Sequence, residues 1–428
     1  MLITDRSLLV KFDSRHRVWQ GIPGIARTKK GRTFISFYSG ETSETYGNYA
    51  VLLKSDADND FGEPIVAIKK EGKFRCFDPV LWIDPLDRLW FFWNVMPGEE
   101  VYAAICENPD ADELIWGDEF YVGRGIMMNK PTVLSSGEWL FPIAVWKTDI
   151  YPNFRKGGLK PNEKAGSYVY KSSDNGKTFV CMGMADIRNR SFDEHMVLEL
   201  RSGVLKMYVR TNYGIGISHS YDRGKTWSTG EDSKLGGPCS RFYISRLKSG
   251  RVLLINHMHF KGRNNLTALL SEDDGKTFPY SLLLDERNNV SYPDAVECED
   301  GAVGFRGDEE CFLGILAEAV GIRAADDNVG GLDGCGGGCG VLLGKRRVGD
   351  DIDIIDGNEV GIRRLELAGE VIDHLGGLRI LQRVKRCAEE NFVVQRHHIV
   401  RMIGNKVIDH GIACFGDRVQ VLARHINI

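Results

Sequence analysis

Six apolar segments of the sequence begin with charged residues, with a tyrosine or with a residue next to a proline. These starts are Gly21-Ile22-Pro23, Asp78-Pro79, Asn129-Lys130, Asp193-Glu194, Ser240-Arg241 and Tyr292-Pro293-Asp294. Arg210 and His257 end the second strand after two of them. Carboxylates, guanidinium groups and a phenol gathered in one place can hold a polar ligand, and burying them without one costs free energy. Taken singly, each is more simply a turn residue at the start of a strand.

Each start opens a predicted β-hairpin, in which an apolar strand, a polar turn and a second apolar strand follow one another. The hairpins are Ile22–Tyr38, Phe77–Asn94, Asn129–Trp146, Asp193–Arg210, Ser240–His257 and Ser291–Phe305. A repeat of about 50 residues predicts an all-β fold, a six-bladed β-propeller of four-stranded antiparallel blades. A β-sandwich also has many short strands, but it does not repeat at this period. In a propeller the first strand of each blade lines the axis, so the six starts converge on one pocket.

Two further features fit this architecture. Leu8–Trp19 is predicted to be the outer strand that closes the ring onto the last blade. A turn with the pattern S-x-D-x-G-x-T-W/F occurs three times, at Ser172–Phe179, Ser220–Trp227 and Ser271–Phe278. Its Ser and Asp side chains can accept hydrogen bonds from nearby backbone N–H groups, and its glycine allows a positive φ. We call these segments the stapled turns.

Between residues 22 and 301 the hairpins and the stapled turns resemble the sialidase (neuraminidase) superfamily. The turns are similar to its Asp-box repeats, which belong to the fold and lie away from the active site. The segment around Glu194 and Arg210 resembles the one that supplies the family's active-site glutamate and second triad arginine. Arg263 to Thr267 resembles the segment of the third arginine, and Val290 to Asp294 resembles that of the catalytic tyrosine, here Tyr292. Glu44 falls near the family's acid/base position.

The resemblance implies retaining, exo-acting hydrolysis of a terminal acidic sugar, with Tyr292 as nucleophile, Glu194 as its base and Glu44 as the acid for the leaving oxygen. Arg210 and Arg263 are expected to hold the acidic group of the sugar. The family's first arginine is replaced by Gly21, so Lys130 or Arg241 is expected to supply the missing charge, and Asp78 completes the predicted substrate site. The alternative is a glycan-binding propeller without turnover.

The overall composition argues against several other classes of function. The 428 residues carry a net charge of −4 without a dominant basic stripe, which argues against nucleic acid as the main partner. No apolar run is long enough to cross a membrane, and the first residues do not resemble a secretory signal. Ten cysteines without CxxC spacing indicate reduced thiols and a cytoplasmic location. No motif predicts a metal site or a cofactor, and nothing predicts the oligomeric state.

The composition changes sharply near Gly301. All 8 Trp, 14 Tyr and 13 Pro precede it, whereas the last 128 residues hold 22 of the 49 Gly and have 13 Arg against 3 Lys. We therefore divide the chain into a propeller at residues 1–305 and an unassigned tail at 306–428. A boundary inside a hairpin leaves a pocket-lining strand with an unpaired edge. The preferred hypothesis is a shifted reading frame after about Arg306, and the alternative is a small α/β appendage.

Overall fold

The computed structural model describes residues 2–17, 19–40, 43–56, 61–147 and 164–307, together with the backbone of six strands beyond them. The fold is all-β, with mainly antiparallel sheets in a β-propeller arrangement. No helix in these described ranges is long and apolar enough to cross a membrane.

The first two blades contain nine strands. Blade one consists of β1 Leu2–Ile3, β2 Trp19–Arg27, β3 Thr33–Gly40, β4 Tyr49–Ser55 and β5 Val66–Ile68, in the order β1-β5-β4-β3-β2. Blade two consists of β6 Arg75–Ile83, β7 Leu89–Met96, β8 Glu100–Cys106 and β9 Phe120–Arg124, in chain order. All neighbouring strands in both sheets are antiparallel.

Blades three to five repeat this pattern. Blade three has β10 Ile126–Met127 and β11 Thr132–Val133, both paired with β12 Trp139–Val145, then β13 Gly166–Ser172 and β14 Val180–Ala185. Blade four has β15 Met196–Glu199, β16 Leu205–Thr211, β17 Gly214–Ser220 and β18 Glu231–Asp232. Blade five has β19 Tyr243–Arg246, β20 Val252–His257, β21 Leu266–Ser271 and β22 Tyr280–Asp285. The short strand β26, Arg323–Ala324, pairs with β22 as a fifth member.

The sixth sheet departs from the prediction of six four-stranded antiparallel blades. β23 Asp294–Glu297, β24 Ala302–Arg306 and β25 Leu313–Ala317 are antiparallel, but β27, Gly340–Leu342, joins β25 in parallel. The described strands therefore complete five such blades rather than six. The segment after residue 300 has no Trp, Tyr or Pro and does not continue the repeat pattern of the other blades.

The tail from residue 306 to 428 lies largely outside the described residues. Most of it belongs to a second compact unit, distinct from the propeller. Within that unit, β28 His397–Ile403, β29 Lys406–Phe415 and β30 Arg418–Asn427 form a three-stranded antiparallel sheet. The boundary at residue 305 stays a prediction.

The N-terminal segment does not form the predicted outer strand. It forms a short helix, α1 Arg6–Leu9, and two 3-10 turns at Val10–Phe12 and Ser14–His16. The side chain of Asp5 caps α1 by accepting a 2.8 Å hydrogen bond from the Ser7 N–H. Asp13 accepts a bond from the Arg15 N–H in the same way. The strand that extends blade one is instead β1, which pairs with β5.

The core lies between neighbouring blades, because each sheet is covered on both faces. All eight residues of β7 are buried, so its sequence is a nearly continuous apolar run rather than an alternating one. Between blades two and three, the rings of Trp82 and Trp139 meet edge to face with centroids 4.9 Å apart. This packing holds the inner strands, and with them the residues at their starts, in fixed positions.

The three stapled turns join the third and fourth strands of blades three, four and five. In the middle one, the Ser220 hydroxyl accepts a 2.8 Å bond from the Gly224 N–H. Asp222 accepts 2.9 Å and 2.6 Å bonds from the N–H and hydroxyl of Thr226. The φ of Gly224 is +88°, a conformation that glycine adopts without steric cost. The predicted hydrogen bonds of this motif are present.

These bonds predict a pH dependence of stability. The hydroxyl of Thr226, with its N–H, lowers the pKa of Asp222 to about 2. An unfolded aspartate titrates near about 4. The folded pKa is thus the lower one, so the carboxylate stabilises the fold above about pH 4 and loses this effect as the pH falls through about 2. We expect Asp222→Asn to lower the Tm at pH 7, with a difference from wild type that shrinks between pH 4 and 2.

Thermal unfolding followed by circular dichroism at pH 7, 4, 3 and 2 measures this difference. Tyr221→Ser is the matched control, because Tyr221 lies in the same turn and is 79% exposed. A difference between Asp222→Asn and wild type that is constant over the whole range would contradict the prediction.

Candidate active site

Four of the six predicted starts have a residue in the left-handed backbone region. The φ angles are 49° at Ile22, 45° at Asp78, 44° at Asp193 and 54° at Tyr292. The ladders of β2 and β6 slip at the first two of these positions, as β-bulges do. A bulge redirects a side chain, and a non-glycine residue at positive φ costs roughly 1–3 kcal/mol. Backbone strain that recurs at equivalent positions of four blades is typical of a functional site.

Tyr292, Glu194 and Arg210 meet at one side of the pocket. Nη1 of Arg210 donates a 2.6 Å bond to Oε1 of Glu194 and a 3.0 Å bond to the Tyr292 hydroxyl. The second oxygen, Oε2 of Glu194, is buried and has no hydrogen-bond partner among the described residues. Burial raises the pKa of Tyr292, and the charge of Glu194 raises it further, against the opposing effect of Arg210 and Arg263. The structure therefore brings together three of the predicted site residues.

Arg263 lies on the face of the same tyrosine. Its guanidinium carbon is 5.0 Å from the centroid of the Tyr292 ring. Nη2 of Arg263 donates a 3.2 Å bond to the carbonyl of Cys239, whose sulfur is 3.4 Å from Nε of Arg210. Cys239 thus contacts both arginines. Sequence reasoning missed it, because no motif surrounds it.

Arg241 and Lys130, the two residues expected to replace the missing arginine, have other partners. Arg241 donates bonds of 2.9 to 3.2 Å to the carbonyl oxygens of Met128, Pro23, Tyr292 and Pro293. The ammonium of Lys130 forms an ion pair with Asp294, whose Oδ2 also accepts a 2.8 Å bond from the Ile25 N–H. Their contacts join inner strands of different blades. The structure thus gives Arg241 and Lys130 a part in building the pocket floor, which the sequence interpretation did not foresee.

Glu44 and Asp78 lie on the side of blades one and two. Oε1 of Glu44 accepts a hydrogen bond from the Tyr38 hydroxyl, and Oε2 is 3.6 Å from Nη1 of Arg75. The Arg75 side chain is 1% exposed, and its guanidinium stacks 4.1 Å from the centroid of the Phe77 ring. Sequence reasoning missed Tyr38 and Arg75. The position of Arg75 at the start of an inner strand was a usable signal.

Asp78 is an enclosed carboxyl group of the pocket. It is 3% exposed, and its Oδ1 has no hydrogen-bond partner among the described residues. Burial raises its pKa well above the ordinary value, and the charges of Glu44 and Glu194 raise it further. Arg75 and Arg241 act in the opposite direction. These surroundings favour the neutral form of the Asp78 carboxyl group.

Aromatic side chains occupy the space beside Gly21, where the resemblance places an arginine. A Cβ atom added to Gly21 would lie 3.2 Å from Cζ2 of Trp19 and 3.9 Å from Cε1 of Tyr38. The two rings pack edge to face, with centroids 5.1 Å apart. The Trp19 and Tyr38 rings form an aromatic wall beside Gly21, and the Arg75 guanidinium lies 5.6 Å from the centroid of the Tyr38 ring.

Several buried polar atoms near the axis complete the site. Besides Oε2 of Glu194 and Oδ1 of Asp78, these atoms are Oγ of Ser240, Nε of Arg241 and Nε2 of His257, none with a hydrogen-bond partner among the described residues. Buried polar groups are rarely left without partners, so such a set is typical of a site that a polar ligand completes. No group of three or more His, Cys, Asp or Glu residues suited to a metal ion occurs in the described part of the chain.

One known family matches most of the propeller. The BNR repeat-like domain family matches residues 32–305, which is more than half of the chain. The chain belongs to this family. As a BNR repeat-like protein it has the sialidase fold, and no curated protein matches it.

Solved structures with the same fold include three sialidase relatives of this BNR repeat-like protein. The Hadza microbial sialidase Hz136 is 18% identical, with a TM-score of 0.54 over 68% of this chain and 63% of its own. The NanB sialidase from Streptococcus pneumoniae is 14% identical, with a TM-score of 0.53 and coverages of 70% and 66%. The intramolecular trans-sialidase from Ruminococcus gnavus is 14% identical, with a TM-score of 0.53 and coverages of 70% and 92%. The chain spans less than two thirds of the first two.

Proposed function

We propose that this protein is a retaining glycoside hydrolase of the sialidase type, which removes a terminal acidic sugar from a glycoconjugate. The observation that carries the proposal is the shared contact of Arg210, whose Nη1 binds both Oε1 of Glu194 and the Tyr292 hydroxyl. It places a phenol and a carboxylate with an unpaired oxygen beside one cation. The sialidase fold and the sialidase neighbours support the same function class.

Tyr292 is the proposed nucleophile. A phenol is a weak nucleophile while it holds its proton, so it needs a base. Oε2 of Glu194 is free to accept that proton, because Arg210 occupies only Oε1. The positive charge of Arg210 stabilises the phenolate character that develops as the bond to the anomeric carbon forms. A neutral attacking group also avoids repulsion from the carboxylate of an acidic sugar.

The leaving oxygen needs a proton from a carboxyl group. Glu44, the residue expected from the sequence, and Asp78 both lie on the side of blades one and two. Glu44 is 36% exposed, whereas Asp78 is enclosed. Because the two carboxyl groups differ in exposure, they differ in how readily each holds that proton.

Arg210 and Arg263 are the proposed ligands of the acidic group. Both guanidinium groups lie within 6.0 Å of the Tyr292 ring centroid, so they flank the nucleophile. Charge-assisted bonds to guanidinium groups are among the stronger hydrogen bonds in proteins. Lys130, Asp78 and Arg241 are proposed to shape the pocket around the sugar.

The test is hydrolysis of fluorogenic sialosides and of related ulosonic and uronic glycosides by the purified protein. The expected result is release of the fluorophore from at least one acidic glycoside, with none from the neutral glucoside used as a control. Nuclear magnetic resonance spectra recorded early in the reaction identify the anomer that is released first. Release of the anomer that has the configuration of the substrate establishes retention. If every acidic glycoside stays intact, the proposed hydrolase activity is wrong.

A second candidate is a glycan-binding propeller without turnover. The aromatic wall beside Gly21 favours it, because one cation of the expected carboxylate clamp is missing. The R. gnavus relative was solved with oseltamivir carboxylate, which makes this carboxylate a suitable binding probe. Saturable binding measured by calorimetry, together with intact substrates in the hydrolysis test, selects this candidate. Absence of both binding and hydrolysis eliminates both.

Restoring the missing cation predicts a gain in affinity. Gly21→Arg alone crowds Trp19, so the change is made together with Trp19→Ala. We expect the double variant to bind free sialic acid about 10- to 100-fold more tightly than Trp19→Ala alone, because one charge-assisted bond contributes roughly 1.5–3 kcal/mol. Calorimetric titration of both variants measures the ratio. Equal affinities would show that residue 21 does not face the acidic group.

The proposed location is the cytoplasm. The five described cysteines are free thiols, at positions 76, 106, 181, 239 and 298, which is compatible with a reducing compartment. Cell fractionation tests this location.

A further inference from the structure

We propose that Asp78, and not Glu44, is the acid of this site: it holds a proton in the resting protein and gives it to the leaving oxygen. This inference rests on the proposed hydrolase function and names the donor for its first step. It follows from the way in which three carboxyl groups and their cations are arranged around the pocket.

The position of Asp78 is built into the backbone. It stands in the bulge of β6 with a φ of 45°, before Pro79, whose nitrogen cannot donate a hydrogen bond. The carboxyl is 3% exposed, and its Oδ1 has no hydrogen-bond partner among the described residues. A buried carboxyl oxygen without a partner is costly when ionised and far less costly when the group is neutral.

The charged groups around Asp78 come from four elements. Glu44 lies in the loop after β3, Arg75 begins β6, Glu194 precedes β15 and Arg241 precedes β19. Two of these groups are already engaged, since Arg241 binds backbone carbonyls and Arg75 faces Glu44. Burial and the two neighbouring carboxylates together raise the pKa of Asp78 well above the ordinary value.

The other two carboxyl groups are arranged as acceptors. Glu194 receives a bond from Arg210 at 2.6 Å. Glu44 receives a bond from the Tyr38 hydroxyl at Oε1 and has Arg75 at 3.6 Å from Oε2. Both groups thus already accept a hydrogen bond at one oxygen and lie beside a guanidinium group. Of the three groups, Asp78 alone lacks such partners among the described residues, so the proton resides there.

With Asp78 as the acid, the reaction proceeds in two steps. The anomeric carbon forms a bond to the Tyr292 oxygen, whose proton passes to Glu194. The glycosidic bond breaks, its electron pair goes to the leaving oxygen, and that oxygen takes the proton of Asp78. In the second step a water molecule gives a proton to Asp78 and attacks the anomeric carbon. The Tyr292 oxygen leaves and recovers its proton from Glu194.

The dependence of rate on the leaving group separates the two candidate acids. Loss of a general acid slows glycosides with poor, alkyl leaving groups far more than those with activated, aryl leaving groups. We expect Asp78→Asn to reduce kcat/KM at least about 100-fold on an alkyl glycoside of the same acidic sugar and less than about 10-fold on the 4-nitrophenyl glycoside. Glu44→Gln is expected to affect both substrates equally. The reverse pattern, with the selective loss in Glu44→Gln, would overturn the proposal.

A stability measurement tests the stored proton without any turnover. Asparagine suits the left-handed conformation and mimics the neutral carboxyl, so Asp78→Asn is expected to fold. The pKa of Asp78 is raised in the folded state, so wild type loses stability as the pH rises above the unfolded value of about 4, and the variant does not. The ratio of the unfolding constants of wild type and variant should rise by up to about tenfold for each pH unit between pH 5 and 8.

Urea unfolding of both proteins at pH 5, 6, 7 and 8 measures that ratio. For Asp222→Asn the same ratio should be constant over this range, because the folded pKa of Asp222 is about 2. A constant ratio for Asp78→Asn would show that Asp78 is ionised in the folded protein, and the proposal would be wrong. A protein that hydrolyses no glycoside but shows the rising ratio refutes the hydrolase function and leaves the protonation of Asp78 standing.

Discussion

Tyr292→Phe is expected to lower kcat/KM for an acidic 4-nitrophenyl glycoside by at least about 10³-fold while leaving the fold intact. The substitution removes the only atom of Tyr292 that can bond to the anomeric carbon, and loss of a catalytic nucleophile costs several orders of magnitude in rate. The ring stays in place, so its contacts with the guanidinium groups of Arg210 and Arg263 are kept. Steady-state kinetics measure the loss, and circular dichroism verifies the fold.

Tyr208→Phe is the matched control for this prediction. Tyr208 is fully buried in blade four, and its hydroxyl has no hydrogen-bond partner within the described ranges. Removing it deletes the same atom from another buried tyrosine, so the rate should be unchanged. If Tyr292→Phe hydrolyses the glycoside within tenfold of wild type, Tyr292 is not the nucleophile.

Arg241→Ala is expected to destabilise the propeller by about 3–5 kcal/mol, the largest stability effect that we predict. Its guanidinium donates to four backbone carbonyls of three blades, which would lose these donors. Truncating a buried charge that donates to these carbonyls leaves its partners unsatisfied. Arg241→Lys is expected to lose most of the same stability, because an ammonium group cannot reproduce the planar fork of donors.

Urea unfolding at pH 7 gives both values. Arg223→Ala is the control, since the Arg223 side chain is 65% exposed and its ion pair with Glu138 is worth at most about 1 kcal/mol. A loss below about 1 kcal/mol in Arg241→Ala would mean that the four carbonyls find other donors, and the role of Arg241 as the link between blades would be wrong.

Periodic features of the fold could be predicted from the sequence. Hairpins that alternate apolar strands with polar turns form antiparallel sheets wherever they occur, and their repetition indicated blades. The N-terminal segment was assigned wrongly because the capping side chains of Asp5 and Asp13 outweigh its apolar pattern. The sixth sheet was assigned too regularly, because its fourth strand comes from a segment without the repeat pattern and pairs in parallel.

The site was predictable only in part. Tyr292, Glu194 and Arg210 meet as the resemblance implied. Tyr38, Arg75, Cys239 and Trp19 were missed, because their roles depend on contacts across blades and on side-chain directions that a local pattern does not contain. Arg241 and Lys130 were expected to bind the ligand, and a sequence does not show that they also bind backbone carbonyls and Asp294.

The hypothesis of a shifted reading frame after about Arg306 concerns residues that lie mostly outside the described ranges. Resequencing the gene around codon 305 tests it. A second frame that encodes an aromatic-rich strand supports the hypothesis, whereas a single continuous frame refutes it.

The four bonds of Arg241 also bear on the order in which the chain folds. They join residues separated by 113, 218, 51 and 52 positions, so every one of them closes a long loop. Contacts of such separation form late, because the entropy of loop closure is lost before they contribute. The blades can therefore form from local contacts first, and the pocket is completed only when Tyr292 and Pro293 pack against it. A nascent chain can complete the proposed active site only after the start of the sixth sheet has been synthesised and has docked.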